Sequence, residues 1–386
     1  MRIGIDARMY STEFTGIGRY VYELVERLKQ IDDKNEYVLF MNQPEFEKFE
    51  VPNKRFRKVL VNAKHYSLDE QLKYWRTLKR AKLDLMHFTH FNAPILYRKA
   101  SVVTIHDLTL SFFPGKKMNS AFHRWAYHLV LKRALKNSRK VIAVSENTKK
   151  DLIEITQTSP SKIDVVYEGV NENFSPRADK EKNAEVLKKY GITKGFLLYT
   201  GVWRGHKNLV NMIKAFGRVR EGEHGFDVQL VITGAEDPYY PEVKRTVKEL
   251  GLEHDVIFPG HVSEEDLVSL YQDAKLFVFP SLYEGFGLPL VEAMRCGTPV
   301  VASKTSCIPE ICGEGNALFF DPYDPADIAD NIRRALLDEP LAAELRERGL
   351  KHSLKFSWEK MAEKTLKLYE EAAAAAAPKK SRNKKV

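Results

Sequence analysis

Cysteine is scarce: Cys296, Cys307 and Cys312 are the only three in 386 residues. An odd, sparse set excludes a disulfide scaffold and fits a reducing compartment. There is no Cys-x-x-Cys and no matching histidine pair, so no zinc site is indicated and three structural thiols are the plain reading. Long hydrophobic runs are missing too, with nothing near the ~18 apolar residues that a membrane-crossing helix needs. The opening stretch MRIGIDARMY has no apolar segment followed by a small-residue cleavage site, so it reads as a buried strand and not as an export signal. Together these absences point to a cytoplasmic protein. No internal repeat of short period is visible.

What is present is a folded composition, 44% hydrophobic, 29% charged and 11% aromatic, in a chain long enough for two ordinary domains. The net charge of +9 is unevenly spread: residues 51–150 carry 22 Lys+Arg against 5 Asp+Glu, while both flanks are net acidic. So dense a basic block is an electrostatic footprint for an acidic partner. Apolar, β-branched runs alternate with helical patterns along the chain. Strands are expected at 3–6, 37–41, 58–61, 85–88, 102–106, 141–144 and 163–167, and again at 195–200, 228–233, 256–259, 276–279, 299–302 and 318–320. Helices are expected between most of them, among them 18–28, 68–79, 121–135, 208–219, 264–273 and 289–296, with a last one at 358–373. A polar stretch, 171–194, separates the two series. The pattern is that of two doubly wound α/β halves, in which ligands sit at the carboxyl ends of strands. A cleft between the halves is the default site.

The most informative segment is 280–303, PSLYEGFGLPLVEAMRCGTPVVAS. A strand runs into a loop with Glu284, Gly285 and Gly287, and Pro289 suits the first turn of the helix that follows. Glycines let a backbone approach a ligand closely. The N–H groups of a helix start suit an anion such as a diphosphate. Two carboxylates, Glu284 and Glu292, beside an anion site make sense when they bind hydroxyls, as on a sugar and a ribose. Arg204 and Lys207 follow another strand at a helix start, where two cations are unfavourable unless an anion neutralises them.

The spacing Glu284-x7-Glu292 within EGFGLPLVEA resembles family 4 retaining glycosyltransferases of the GT-B fold. GIDARMY and TGIGRY near the start, VTIHDL around His106, VSENTKKDL at 144–152, GVWRGHKNL at 201–209 and IPEICGEGNALFFDPYD at 308–324 resemble the same family in the same order. Within it the chain looks closest to mannosyltransferase-like members of bacterial cell-surface polysaccharide and lipopolysaccharide synthesis. The resemblance implies two facing Rossmann-like domains: an acceptor-side domain 1–175, a linker 176–194 and a donor domain 195–355. The helix 356–373 then packs back on the first domain, ahead of a disordered basic tail, 374–386. It also implies roles. Glu284 binds hydroxyls of the transferred sugar and Glu292 the ribose. Backbone N–H groups of Phe286, Gly287 and Leu288 meet sugar or phosphate beside Gly285. Arg204 and Lys207 hold the diphosphate, although His206 stands where the family often has an arginine. Gly16 and Gly18 shape the first loop, with Arg19 open between a phosphate or acceptor contact and a surface position. His106 positions the reacting sugar, while His87 and His90 are open between an acceptor pocket and strand caps.

The implied reaction is metal-independent, cofactor-free retaining transfer of a hexose from a nucleotide diphosphate sugar to a glycan or lipid-linked acceptor. GDP-mannose is the first expectation for the donor and UDP-glucose the next. The absence of Asp-x-Asp removes the usual way for a single-domain sugar transferase to hold a metal. Alternatives are a nucleotide-sugar epimerase on the same fold and a non-catalytic nucleotide-sugar-binding protein. The basic block places Lys73, Arg76, Lys79, Arg80 and Lys82 beside Tyr74 and Trp75 on a helix over 68–82. It places Arg124, Lys132, Arg133, Lys136, Arg139 and Lys140 beside Trp125 and Tyr127 over 119–140. Basic faces interleaved with aromatics suit an anionic membrane surface, here the inner leaflet. Nucleic acid is disfavoured, since no recognition motif accompanies the charge.

Overall fold

The computed structural model describes residues 1–11, 16–63, 67, 69–115, 120–221 and 225–374. Two sheets form, and every strand pairing in them is parallel. The first contains β1 (Arg2–Asp6), β2 (Glu36–Met41), β3 (Phe56–Leu60), β4 (Leu85–Phe88), β5 (Ser101–Ile105), β6 (Lys140–Ala143) and β7 (Ile163–Val165), in the order β3-β2-β1-β4-β5-β6-β7. The second contains β8 (Phe196–Thr200), β9 (Gln229–Thr233), β10 (Val256–Gly260), β11 (Leu276–Phe279), β12 (Val300–Ser303) and β13 (Leu318–Phe320), in the order β10-β9-β8-β11-β12-β13. Strands covered by helices on both faces are buried throughout and largely apolar, as in SVVTI of β5 and LFVF of β11. Each sheet reverses its winding once, between β1 and β4 and between β8 and β11. Those are the switch points at which open α/β sheets bind ligands.

Chain contacts divide the protein into two units. One comprises Met1–Leu108, Asn119–Tyr167 and Trp358–Val386, the other Thr109–Met118 and Glu168–Ser357. Several expectations change. The stretch taken as a linker, 176–194, holds a helix, Lys180–Lys189, capped by the Asp179 side chain and belonging to the second unit. Only Asn183 and Val186 of this helix are buried, so its polar sequence hid an amphipathic pattern. Gly16 and Gly18 are not loop residues but lie in the first turn of the helix Gly16–Ile31; the loop before it, 12–15, falls outside the described residues. The helix expected over 68–82 is a π-helical turn, Glu70–Tyr74, running into an α-helix, Trp75–Arg80, and Leu68 lies outside the described residues. Tyr74 and Tyr127 point into the core, which removes two aromatics from the proposed basic faces; Trp125 stays 59% exposed. The terminal helix runs through Ala374, so the expected tail overlaps it by one residue, and 375–386 fall outside the described residues.

The terminal helix Trp358–Ala374 packs on Gly16–Ile31 in the first unit. A buried polar chain fixes it there. The Tyr369 hydroxyl meets His87 Nδ1 at 2.6 Å, His87 Nε2 meets Thr104 Oγ1 at 2.8 Å, and Thr104 Oγ1 meets the Tyr20 hydroxyl at 3.0 Å. His87 is thus a core residue on β4, which closes the acceptor-pocket option for it. Burial pushes its imidazole down to about 3, with His106 adding to the effect and Asp6 opposing it. A group whose folded pKa is depressed stabilises above its unfolded value of 6.5 and loses that stability as pH falls towards the folded value. The loss approaches ~1.4 kcal/mol per pH unit, one extra proton taken up on unfolding. Urea unfolding of the wild type and of His87→Asn, followed from about pH 7 down to about pH 4.5, should show the variant less stable at the high end and the two curves converging at the low end. Parallel curves would contradict this role.

Candidate active site

In the second unit the site is built at the β8/β11 switch point. After β8 the chain makes a 3-10 turn, Gly205–Lys207, and Asn208 in the left-handed region (φ 59°) then starts the helix Leu209–Arg220. Arg204 and Lys207 therefore precede the helix instead of occupying its first turn. Asn208 Nδ2 donates to the carbonyls of Pro280 (3.1 Å) and Pro322 (2.7 Å), and the Leu282 N–H donates to the His206 carbonyl at 2.7 Å. These bonds stitch the loop after β8 to the loop after β11. Across the seam Lys207 Nζ lies 2.6 Å and 2.8 Å from the two oxygens of Glu284. The pair is largely buried, at 18% and 12% side-chain exposure. The Glu284 backbone is held on both sides by one side chain: its N–H donates to Ser306 Oγ (3.1 Å), and that hydroxyl donates back to the Glu284 carbonyl (2.7 Å).

Gly287 sits at φ 88°, ψ 55° and starts the helix Leu288–Arg295, with Pro289 in its first turn and no side chain capping it. A β-carbon there would lie 3.0 Å from Leu290 Cδ1, so glycine alone suits this turn. Phe286 puts its ring into the core against Phe356 (5.5 Å, edge-on) and so leaves its backbone to shape the loop beside Gly285. Glu292 is 7% exposed and accepts the Tyr271 hydroxyl at 3.1 Å. Burial pushes the Tyr271 hydroxyl pKa well up, and the Glu292 charge adds to it; burial and the Glu284 charge do the same to Tyr199. Arg204 is half exposed, and its Nε is 3.8 Å from Asp237 Oδ2. The structure thus gathers Lys207, Glu284 and the Gly285–Leu288 loop, and turns Arg204 towards Asp237.

In the first unit, His106 directly follows β5 and is 8% exposed. Its Nε2–H donates to the Thr89 carbonyl at 3.0 Å, and its ring stands edge-on to Tyr20 at 4.7 Å. Arg19 is buried on the helix after β1. Just after β1, Arg8 forms a buried cluster: Nε and Nη2 on Asp6 (2.8 and 2.7 Å), Nη1 on Glu70 (2.7 Å), and the guanidinium over the Tyr74 ring at 4.2 Å.

Two family models match in succession. "Glycosyltransferase Family 4" matches residues 14–174 and "Glycosyl transferases group 1" matches 179–352. This chain belongs to the family 4 glycosyltransferases. It is 28% identical over 383 residues to the O-antigen chain mannosyltransferase B of Escherichia coli, covering 92% of this chain and 96% of that protein. It is 34% identical over 221 residues to the serotype-specific mannosyltransferase WbdA of Escherichia coli, covering 56% of this chain but only 27% of that one. Among solved structures, the sucrose-phosphate synthase of Thermosynechococcus elongatus superposes with a TM-score of 0.77 at 23% identity, covering 97% of this chain and all of that one. That likeness establishes the shared fold, two Rossmann-like parallel-sheet domains.

For this glycosyltransferase, the sequence reading missed Ser306, Asn208, Tyr271 and Asp237, the residues that hold the site residues in place. Ser306 had one readable signal, a hydroxyl-rich turn (Ser303, Thr305, Ser306) just beyond a strand. Asn208 had another, since asparagine tolerates the left-handed conformation. All three cysteines are buried and unpaired, and burial raises each thiol. That leaves no reactive thiolate at the site.

Removing either member of the Lys207–Glu284 pair strands a mostly buried charge. Lys207→Ala and Glu284→Gln should each cost ~1–3 kcal/mol. The double variant should cost less than their sum, with a coupling of ~1–2 kcal/mol in a denaturant double-mutant cycle. Strict additivity would show that the pair contributes nothing to the fold.

Proposed function

We propose that this glycosyltransferase transfers mannose from GDP-mannose to a glycan or lipid-linked acceptor in cell-surface polysaccharide synthesis, with retention at the anomeric carbon and without a metal. The observation that carries the reading is the Lys207–Glu284 pair beside the Gly287 turn, at the switch point where a donor belongs. The names of the Escherichia coli relatives, both mannosyltransferases, support the choice of sugar.

On this reading the diphosphate lies at the loop 285–288, where the positive end of the helix start complements its charge. Lys207, and Arg204 after a turn away from Asp237, stabilise the negative charge that builds on the leaving diphosphate. Glu284 accepts from hydroxyls of the transferred mannose, and Glu292 from the ribose. The bond from C1 to the diphosphate oxygen breaks while the acceptor oxygen bonds to C1 on the same face. The acceptor proton passes to the departing phosphate oxygen. No carboxylate is required as a nucleophile, so the catalysis is positioning and charge stabilisation. His106, held by the Thr89 carbonyl, is assigned to the reacting sugar. The basic surface of residues 51–150, with Trp125 exposed, supports peripheral attachment to an anionic inner leaflet.

Incubation with GDP-mannose or UDP-glucose and a mannose-containing oligosaccharide, read by mass spectrometry and proton NMR, tests the whole reading. The expected result is an α-linked mannose product from GDP-mannose alone, formed at the same rate with and without a chelator. A β-linked product overturns retention, strong chelator sensitivity overturns metal independence, and a changed sugar without acceptor supports an epimerase.

A further inference from the structure

Segment 109–115 follows β5 in sequence but packs within the second unit. At the end of the short helix Thr109–Phe112 the chain presents two aromatic rings, Phe112 and Phe113, to the loops that carry the ion pair. The Phe112 ring lies 4.8 Å from that of Tyr283, tilted by 39°, and Phe113 lies 5.9 Å from His206 and 6.4 Å from Tyr283. Tyr283 is the residue before Glu284, and His206 the residue before Lys207. Tyr283 is buried, whereas Phe112 remains 46% exposed, one of the large apolar side chains left open to solvent. Gly205 in the same loop lies under Tyr240, whose ring would be 3.3 Å from a β-carbon there.

We infer that Phe112, backed by Tyr283, is a stacking platform for a pyranose ring of the acceptor glycan. The inference rests on the glycosyl-transfer reading and adds a place for the second sugar. A pyranose ring has one face of C–H groups and a rim of hydroxyls. The C–H face suits the negative face of an aromatic ring, and the rim needs polar neighbours. The platform offers both, since the exposed Phe112 ring packs on Tyr283, whose next residue in the chain is the carboxylate Glu284. Position selects the acceptor over the nucleobase. The rings pack on Tyr283 and His206, the chain neighbours of Glu284 and Lys207, to which the proposed function gives the transferred sugar and the leaving diphosphate. The base extends from the ribose held by Glu292, which lies on the far side of the Gly287 turn in the chain. Because Phe112 is half exposed and no hydrogen bond depends on its side chain, its replacement leaves the fold intact.

The test uses the full-length protein, GDP-mannose as donor, and methyl α-mannoside and α-linked mannobiose as acceptor probes. Phe112→Ala should raise the acceptor KM about tenfold, the size of one aromatic stacking contact, with the donor KM unchanged. It should also abolish saturation-transfer NMR signals from the probe's ring protons, and Phe112→Trp should restore both. An unchanged acceptor KM and NMR signal in Phe112→Ala, with donor binding intact, overturns the platform and leaves the transfer reading standing. A raised donor KM with an unchanged acceptor KM places the nucleobase there instead and likewise overturns it. Failure of the wild type to bind GDP-mannose or GDP at all is the distinct result that removes the transfer reading, and the platform with it.

Discussion

The ion pair between Lys207 and Glu284 is the constraint on which the candidate site depends. Two loops leave adjacent parallel strands, β8 and β11, on opposite sides of a reversal in winding. Parallel strands at such a point diverge into separate crossovers, so nothing in the sheet itself holds the loops together. A charge-assisted, two-pronged contact of 2.6 and 2.8 Å does, with backbone and amide bonds on either side of it. The same pair sets the electrostatics. An unpaired lysine held this deep would be costly, and an unpaired glutamate would repel a diphosphate. Paired, they leave the site close to neutral until an anion arrives to compete for the lysine.

The first unit shows a parallel solution with other residues. At its own switch point, between β1 and β4, the charge is taken up by Arg8, which binds Asp6, Glu70 and a backbone carbonyl of Asn92 and lies over Tyr74. Here the cluster is sealed, with Arg8 and both carboxylates almost wholly buried. It fixes the π-helical turn to the sheet, where a small number of extra bonds compensate for the weaker backbone geometry of such a turn. One strand further on, the neutral His87 and its hydroxyl partners tie the terminal helix to β4 and β5, and Tyr20 carries that order to the His106 ring. The Lys207–Glu284 pair keeps some contact with solvent, whereas the Arg8 cluster is sealed.

Much of this was legible in the sequence because parallel strands write themselves as continuous apolar runs. Such runs located the strands to within a residue or two, and β1, β8 and β11 led directly to the loops that matter. Glu284, Lys207 and the Gly287 turn were readable because strand, glycine loop and Pro289 stand in one local segment. What was not legible was pairing at a distance. Nothing in the sequence says that residues 77 apart will meet as Lys207 and Glu284 do, or that Ser306 will fasten the backbone of Glu284. The helix Lys180–Lys189 was missed because two buried positions in ten leave almost no apolar signal. His87 stayed open between an acceptor pocket and a strand cap because a core histidine is distinguished only by its partners, one of them 282 residues away. Segment 109–115 went unread because its allegiance to the second unit reverses its place in the chain.

On the proposed function, Glu284 holds Lys207 in reserve for a diphosphate. Calorimetric titration of GDP into the wild type, Lys207→Ala and Glu284→Gln tests it most directly. Removing the competing carboxylate should tighten GDP binding severalfold, while removing the lysine should weaken it by about ten- to a hundredfold, one charge-assisted contact. Equal affinity in all three proteins, each shown to be folded, would contradict the claim and leave the pair as a structural bridge alone.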